Sequence, residues 1–212
     1  MEFVYVLKRS DLFEDEGTVQ GFLPLEGEAL ERRFLRRIRE RGFFLERERA
    51  ERDADFKQII PYSVVTTTNR VFAFRRLEGQ AETRLRRKSS IGIGGHIEPS
   101  DAGAEPVRVG CLRELGEELA IEGPLDPEPV GVLNDERNEV GAVHFGVVHR
   151  VRTEAGAVRV RETQHLTGSF ETPAALRQRA RAGEDFETWS EYLLGSLVPI
   201  LRTRTVAGRN PA

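Results

Sequence analysis

Three glutamates, Glu114, Glu117 and Glu118, stand close together in one short stretch of this chain. In a helix, which turns about 100° per residue, they fall on one side, with Glu114 and Glu118 one turn apart. Like charges at this spacing destabilise an isolated helix, so the pattern predicts a compensating cation. Mg²⁺ takes oxygen ligands and is held in proteins by a few carboxylates together with substrate phosphates. Arg113 borders the acidic side and is placed to orient or partly neutralise it.

The alternative is an ordinary solvated acidic face, because 32% of the residues in this chain are charged. That interpretation does not account for Gly94-Gly95 upstream of the helix or for the position of Arg113. A helix packed on a core also needs an apolar stripe. On the side opposite the glutamates the sequence predicts a stripe made of Val109, Leu112, Leu115 and Leu119.

The stretch from Gly94 to Ile121 resembles the signature of the Nudix hydrolase family: Gly, five residues, Glu, seven residues, then Arg-Glu-aliphatic-x-Glu-Glu-x-Gly-aliphatic. The positions that fit are Glu105, Arg113, Glu114, Leu115, Glu117, Glu118 and Ile121.

The stretch departs from that signature in two places. Nine residues instead of five separate Gly95 from Glu105, and Ala120 replaces the closing glycine. Asp101 stands at the usual distance from Gly95 but is then too far from Arg113. We therefore predict that residues 101–104 are a surface insertion near the site entrance.

The resemblance implies an α/β fold in which a mixed β-sheet is sandwiched between helices, from about Ile59 to Leu201. It also implies a metal site. Mg²⁺, with Mn²⁺ as the alternative, would be held by Glu114, Glu117, Glu118 and the Gly95 carbonyl, and Arg113 would orient the glutamates.

The implied reaction is hydrolysis of the diphosphate linkage in a nucleoside diphosphate joined to another moiety. Divalent cations assist it because they screen the phosphate oxygens and lower the pKa of bound water. The chain is thus expected to be a pyrophosphohydrolase acting on phosphoanhydride bonds, with a small-molecule nucleotide as substrate. Sugar nucleotides, ADP-ribose, dinucleotides and oxidised triphosphates all stay open as substrates.

Three residues outside the signature complete the predicted site. Glu162 lies between two predicted strands, where the family usually places a further carboxylate that serves as metal ligand or base. Arg87 belongs to a basic loop whose guanidinium groups match phosphate oxygens. His144, on a predicted strand, is a candidate contact for nucleotide or pyrophosphate. Their ordinary alternatives are a surface ion pair, a solvated loop and a structural histidine, and the rivals of Glu162 are Asp135, Glu136 and Glu139.

Two other functions remain open. A nucleotide-binding or regulatory module without turnover shares the fold but has no need for all three glutamates. An allylic diphosphate isomerase is expected to carry a catalytic cysteine on a strand ahead of the signature, and no cysteine stands there. The single cysteine, Cys111, borders the acidic face by helical arithmetic, so geometry alone does not exclude this function.

The surrounding elements alternate between strands and helices in an α/β pattern. Residues 1–57 are predicted to be an N-terminal extension containing a strand and a helix, and residues 58–212 the Nudix domain. Pro61 should place its strand, residues 59–65, at a sheet edge or shorten it. Residues 141–151 alternate as a strand does, and Phe186 to about Val198 has the spacing of a helix that Pro199 ends or kinks.

Composition is typical of a compact enzyme. A net charge of −3 over 212 residues gives no general attraction to nucleic acid or to an anionic membrane. One cysteine excludes an internal disulfide and fits a cytoplasmic location. We find no apolar run of membrane-spanning length and no signal-peptide layout at the start. A homodimer is left open.

Overall fold

The structure is a computed structural model that describes residues 1–14, 17–76, 88–161 and 166–201. Its strands are β1 Phe3–Lys8, β2 Gly21–Pro24, β3 Phe43–Glu46, β4 Phe56–Thr66, β5 Val71–Arg76, β6 Ser89–Ser90, β7 Ile93–Gly94, β8 Leu119–Ile121, β9 Glu128–Asn134, β10 His144–Arg152, β11 Val158–Val160 and β12 Leu166–Glu171. Its α-helices are α1 Arg9–Leu12, α2 Gly27–Leu30, α3 Arg36–Arg41, α4 Arg47–Ala50, α5 Pro106–Glu118, α6 Glu139–Val143, α7 Pro173–Arg181, α8 Thr188–Leu194 and α9 Leu197–Leu201. A π-helical turn, Glu31–Leu35, joins α2 to α3.

One mixed β-sheet organises the molecule. Its strands follow the order β12-β5-β4-β10-β9-β2, and β10 runs parallel to β4 while the other neighbours in this path are antiparallel. On the side of β4 away from β10, pairing passes from β1 to β7 and then to β5. The predicted α/β architecture with a mixed sheet is confirmed.

The prediction that Pro61 places its strand at an edge was wrong, because β4 lies inside the sheet and every residue of it is buried. The sheet accommodates Pro61 because of where it lies along β4. On one side β1 pairs with β4 up to Gln58, and β7 resumes the pairing at Tyr62. Pro61 falls between these two pairings, so its missing N–H breaks no ladder hydrogen bond on that side.

Helices cover both faces of the sheet. On one face α5 packs through Cys111 and Leu115 against strand residues such as Val65 and Phe72. On the other face α8 and α9 contribute Leu193, Leu194, Leu197 and Ile200 to a cluster around Tyr62. This is the predicted sandwich, and it leaves the first turns of α5 facing the segment that follows β7.

The apolar stripe expected on α5 is rotated from the predicted one. Val109 is 43% exposed, whereas the buried residues of the helix are Pro106, Val107, Gly110, Cys111 and Leu115. Val107, Cys111 and Leu115 are spaced four residues apart and form the core stripe. Glu114 lies next to this stripe rather than opposite it.

Two other predictions needed correction. Residues 141–143 belong to α6 and not to a strand, because the side chain of Asn138 caps this helix by accepting the Gly141 N–H at 2.8 Å. The predicted C-terminal helix is divided into α8 and α9 by a break at residues 195–196, and Pro199 lies inside α9.

The first fifty-odd residues contribute strands to the same sheet. β1 pairs with β4 and β3, and β2 pairs with β9 at the far end of the strand order. Within the described ranges, no helix is both long and apolar enough to span a bilayer.

Candidate active site

Gly95 and Glu114 lie in direct contact. β7 pairs with β4 and delivers Gly95 to a position beneath α5. A Cβ atom placed on Gly95 would be 2.0 Å from the Glu114 Cδ atom and 2.1 and 2.2 Å from its two carboxylate oxygens. Only glycine allows this approach, because real Cβ atoms are never so close to other heavy atoms. The structure therefore brings together two of the predicted metal ligands.

Arg113 holds this carboxylate within a set of ion pairs. Its Nη1 atom lies 3.0 Å from Glu114 Oε1 and donates to Glu117 Oε1 at 3.1 Å. Its Nη2 atom donates to the His96 carbonyl at 2.6 Å and to Asp101 Oδ2 at 3.0 Å. The planar guanidinium thus links the helix to the segment that follows Gly95.

Asp101 is the anchor of Arg113. Its side chain is 2% exposed, and both of its carboxylate oxygens accept from Arg113 Nε, at 3.1 and 3.2 Å. The Glu98 N–H also donates to Asp101 Oδ2 at 2.9 Å, which closes a short 3₁₀ turn over Pro99–Asp101. Asp101 is a buried structural residue.

The prediction that residues 101–104 are a surface insertion was therefore wrong at its first position. Residues 102–105 are exposed and separate Asp101 from α5. Glu105 sits at the N-cap of α5, with Arg39 Nε 3.8 Å from its carboxylate. Five residues separate Gly95 from Asp101, as the signature requires between its glycine and its first glutamate, and this spacing was the signal for Asp101. The residues that the signature lacks therefore follow Asp101.

The three glutamates differ in environment. Burial raises the pKa of Glu114, Arg113 lowers it in part, and the charges of Glu117 and Glu118 raise it further. Glu117 is exposed, with 58% of its side chain accessible. Glu118 is half-buried at the last position of α5, and its backbone carbonyl accepts the Arg161 N–H at 3.0 Å.

These residues fit a hard divalent cation by the chemistry of their donors. Burial and the negative charges of Glu117 and Glu118 disfavour the ionised form of Glu114. A bound cation would favour that ionised form. Glu118 follows one turn after Glu114, and the backbone of Gly95 lies against the Glu114 carboxylate. Among the residues described, no three His, Cys, Asp or Glu side chains already converge as ligands, since Arg113 engages Glu114 and Glu117.

The structure describes only some of the residues predicted outside the signature. Glu162 and Arg87 lie outside the described residues. Asp135 accepts hydrogen bonds from Gln20 at 2.9 Å and from Arg137 at 2.9 Å. Of the other two rivals, Glu136 accepts from Arg9 and Asn134 and pairs with the Lys57 ammonium at 2.8 Å, and Glu139 is the first residue of α6.

His144 opens β10 and faces a histidine that the sequence did not single out. Its Nε2 atom lies 3.4 Å from the Nε2 atom of His96, and its Nδ1 atom lies 2.6 Å from the Val140 carbonyl oxygen. Burial lowers the pKa of both imidazoles, that of His96 to about 3. His96 directly follows Gly95, and this adjacency was the available signal.

Cys111 does not border the acidic face, contrary to the helical arithmetic. It is fully buried, and its sulfur lies 3.0 Å from the Ser63 hydroxyl oxygen in the core. Burial raises the pKa of the thiol to about 11. A buried, protonated thiol is a poor nucleophile, which removes the basis for the isomerase alternative.

Comparison with known proteins agrees with this geometry. No family model matches the chain. Protein YmaB of Bacillus subtilis (strain 168) is 34% identical over 203 residues, which span 92% of this chain and 97% of that protein. The crystal structure of Tm1382, described as a candidate Nudix hydrolase, superposes with a TM-score of 0.76 at 28% identity, covering 93% of this chain and 98% of Tm1382.

More distant structures share the fold. DR0079 from Deinococcus radiodurans aligns with a TM-score of 0.52 at 19% identity, over 82% of this chain and 98% of DR0079. The Nudix domain of Shewanella oneidensis NrtR, solved with ADP ribose, aligns with the same score at 15% identity, over 69% and 89% of the two chains. Together with the contact between Glu114 of α5 and Gly95, these similarities establish that the chain belongs to the Nudix hydrolase family of pyrophosphohydrolases.

Proposed function

We propose that this chain hydrolyses, with a divalent metal ion, the diphosphate linkage of a nucleoside diphosphate joined to another moiety. The observation that carries the proposal is the contact between Gly95 and the Glu114 carboxylate. A carboxylate packed on a glycine backbone, with further carboxylates one turn away, is a donor set suited to Mg²⁺ and to a phosphate ligand of that ion.

Glu114, Glu117, Glu118 and the Gly95 carbonyl would hold Mg²⁺ or Mn²⁺. When bound, such an ion screens phosphate oxygens and lowers the pKa of its water. Arg113 holds the carboxylates of Glu114 and Glu117 in the free chain and is itself fixed by Asp101.

The proposal assigns three more roles. Glu162 accepts the proton of the attacking water or adds a metal ligand, and Arg87 binds phosphate oxygens through its guanidinium. His144 contacts the substrate. Burial lowers its pKa, and because Nδ1 already donates to the Val140 carbonyl, Nε2 is the nitrogen left to accept a hydrogen bond.

The substrate is proposed to be a small nucleotide. The Nudix domain of NrtR, which shares the fold, forms a complex with ADP ribose, and this supports a nucleotide of similar size here. The competing function is a module that binds a nucleotide without turnover. The retention of all three glutamates, one of them pressed on Gly95, favours catalysis, because nucleotide binding alone does not require them.

The test is a panel of sugar nucleotides, ADP-ribose, dinucleotides and oxidised triphosphates incubated with the protein and Mg²⁺, with products separated by chromatography. We expect cleavage of at least one compound between its two linked phosphates, and Glu118→Gln should abolish it. Tight binding of a panel member without cleavage, in parent and variant alike, would instead identify a binding module.

A further inference from the structure

The imidazoles of His96 and His144 face each other through their Nε2 atoms, next to Gly94-Gly95. The two atoms are 3.4 Å apart, and the ring centroids are 5.6 Å apart with the planes tilted by 58°. His96 is contributed by the segment after β7 and His144 by the first position of β10. The pair therefore bridges two elements that are distant in sequence.

The distance between the two nitrogens is informative. A direct N–H···N hydrogen bond is expected to be about 2.7–3.2 Å long, in line with other protein hydrogen bonds. Two imidazole nitrogens bound to one tetrahedral Zn²⁺, at bonds of about 2.0–2.1 Å, are about 3.3–3.4 Å apart. The observed 3.4 Å is long for the first arrangement and matches the second.

The outer nitrogen of His144 is arranged as in a metal ligand. At 2.6 Å from the Val140 carbonyl oxygen, Nδ1 must carry the proton and donate it, because a carbonyl only accepts. The Nε2 atom of His144 therefore presents a lone pair toward His96. Ligating histidines usually have their second nitrogen fixed by a carbonyl or carboxylate in this way.

Gln58, on the strand that pairs with β10 at His144, offers a third donor. Gln58 on β4 is fully buried, and both its amide nitrogen and its amide oxygen lack a hydrogen-bond partner among the described residues. Gln58 is the register partner of His144 in the parallel pairing of β4 and β10, so the two side chains project from the same face of the sheet. A buried amide without partners is unfavourable, and an ion bound to its oxygen would satisfy that atom.

We propose that His96 Nε2, His144 Nε2 and the Gln58 amide oxygen form a site for a borderline divalent transition ion such as Zn²⁺. Such ions prefer imidazole nitrogen, whereas Mg²⁺ prefers the carboxylates of α5. Binding uses the tautomer of His96 that carries its proton on Nδ1, which leaves Nε2 as the donor atom. The ion would join β4, β10 and the segment that follows β7. None of the three donors is an assigned ligand of Mg²⁺, but His144 is also the proposed substrate contact, so Glu118→Gln serves to separate the two proposals.

The test is calorimetric titration of the full chain with Zn²⁺ in excess Mg²⁺, which occupies the carboxylate site. We expect one Zn²⁺ per chain. His96→Ala and His144→Ala should each weaken binding at least tenfold, since loss of even an outer partner costs about 10–100-fold. Gln58→Leu, which keeps most of the side-chain volume, should also weaken it, and Glu118→Gln should not. Unchanged affinity in the histidine or Gln58 variants, or loss of binding in Glu118→Gln, would overturn the site.

A second measurement uses the unmodified chain and does not depend on whether variants fold. In long-range ¹H–¹⁵N spectra, Zn²⁺ should shift the Nε2 signals of His96 and His144. His149 serves as an internal reference, because it is buried with Nδ1 2.9 Å from the Val147 carbonyl oxygen. Signals of the His96 and His144 imidazoles that do not move with saturating Zn²⁺ would reject the proposal.

Discussion

Asp101 and Arg113, twelve residues apart in sequence, form a bidentate ion pair in which Nε and Nη2 of the guanidinium reach the two carboxylate oxygens at 3.0–3.2 Å. Asp101 is buried and is fixed in turn by the Glu98 N–H. The orientation of Arg113, and through it of Glu114 and Glu117, is therefore set by a residue outside the helix that carries them.

Replacing Asp101 should destabilise the fold. Asp101→Ala removes the buried anchor of Arg113, which keeps Glu114 and Glu117 as partners, and leaves the Glu98 N–H without its acceptor, so we expect a cost of about 1–3 kcal/mol. Urea denaturation of this variant should show a clearly lower midpoint. Glu105→Ala is the matched control, because Glu105 is exposed and should leave the midpoint nearly unchanged. Equal midpoints for the two variants would contradict the anchoring role of Asp101.

A single methyl group at Gly95 should disturb the site. In Gly95→Ala the new Cβ must displace the Glu114 carboxylate, which lies 2.0–2.2 Å from its ideal position. We expect a loss of hydrolysis of at least tenfold in steady-state assays on the best substrate.

Gly116→Ala is the control for Gly95→Ala. Gly116 lies on α5 close to Glu114, and a Cβ there meets nothing within 4 Å. This change should leave activity intact and raise stability by up to about 1 kcal/mol, because alanine favours the helix. Parental activity in Gly95→Ala would show that the Glu114 carboxylate is not held where it is needed.

Metal dependence can be tested at Glu118. Glu118→Gln keeps the shape of the side chain and removes its charge, so we expect turnover to fall by orders of magnitude while the melting temperature changes little. Chelator should abolish the activity of the parent protein, and excess Mg²⁺ should restore it. Turnover of Glu118→Gln at the parental rate would refute the assignment of α5 as the metal site.

Cys111 should be inert. With the thiol fully buried and its pKa raised to about 11, a thiol reagent should modify the native protein far more slowly than the urea-unfolded protein. Cys111→Ala should retain hydrolysis. Rapid modification accompanied by loss of activity would restore Cys111 as a candidate nucleophile.

The carboxylate of Glu184 should make stability depend on pH. Glu184 accepts hydrogen bonds from Arg179 and from the Ser89 hydroxyl, which hold its pKa at about 2 instead of 4.5. A lowered folded-state pKa stabilises the fold above pH 4.5, and this contribution is lost as pH falls toward 2. Glu184→Gln should cost on the order of 2 kcal/mol at pH 7 and nothing near pH 2, measured by urea denaturation at both values. An equal cost at both values would rule out this pH dependence.

The sequence was sufficient for the fold class and for the helix that carries the glutamates, because spacing along α5 determines which side chains share a face. It was insufficient for the rotation of that helix. Val109 and Val107 are both apolar, and only packing on the sheet decides that Val107 is inside. Helical periodicity alone does not show which of two apolar residues meets a strand.

Contacts across long sequence separations were also out of reach. The Asp101–Arg113 pair depends on where a loop places extra residues. Asp101 matched the expected spacing to Gly95, whereas Glu105 matched the expected spacing to Arg113, and the sequence alone did not decide between them. His96 was overlooked because its partner is 48 residues away. Gln58 gave no signal, since a glutamine within a strand is an ordinary feature until its burial is known.

The placement of β1 and β2 also bears on how the chain reaches its native state. Leu7 pairs with Lys57, but Gly21 at the start of β2 pairs with Asn134, so this edge of the sheet cannot form until well over half of the chain has left the ribosome. Topologies dominated by such distant pairings fold slowly. β2 must therefore stay unpaired through most of synthesis, whereas β1 can pair with β3 and β4 much earlier. Unpaired strands in folding intermediates are sites at which chains aggregate.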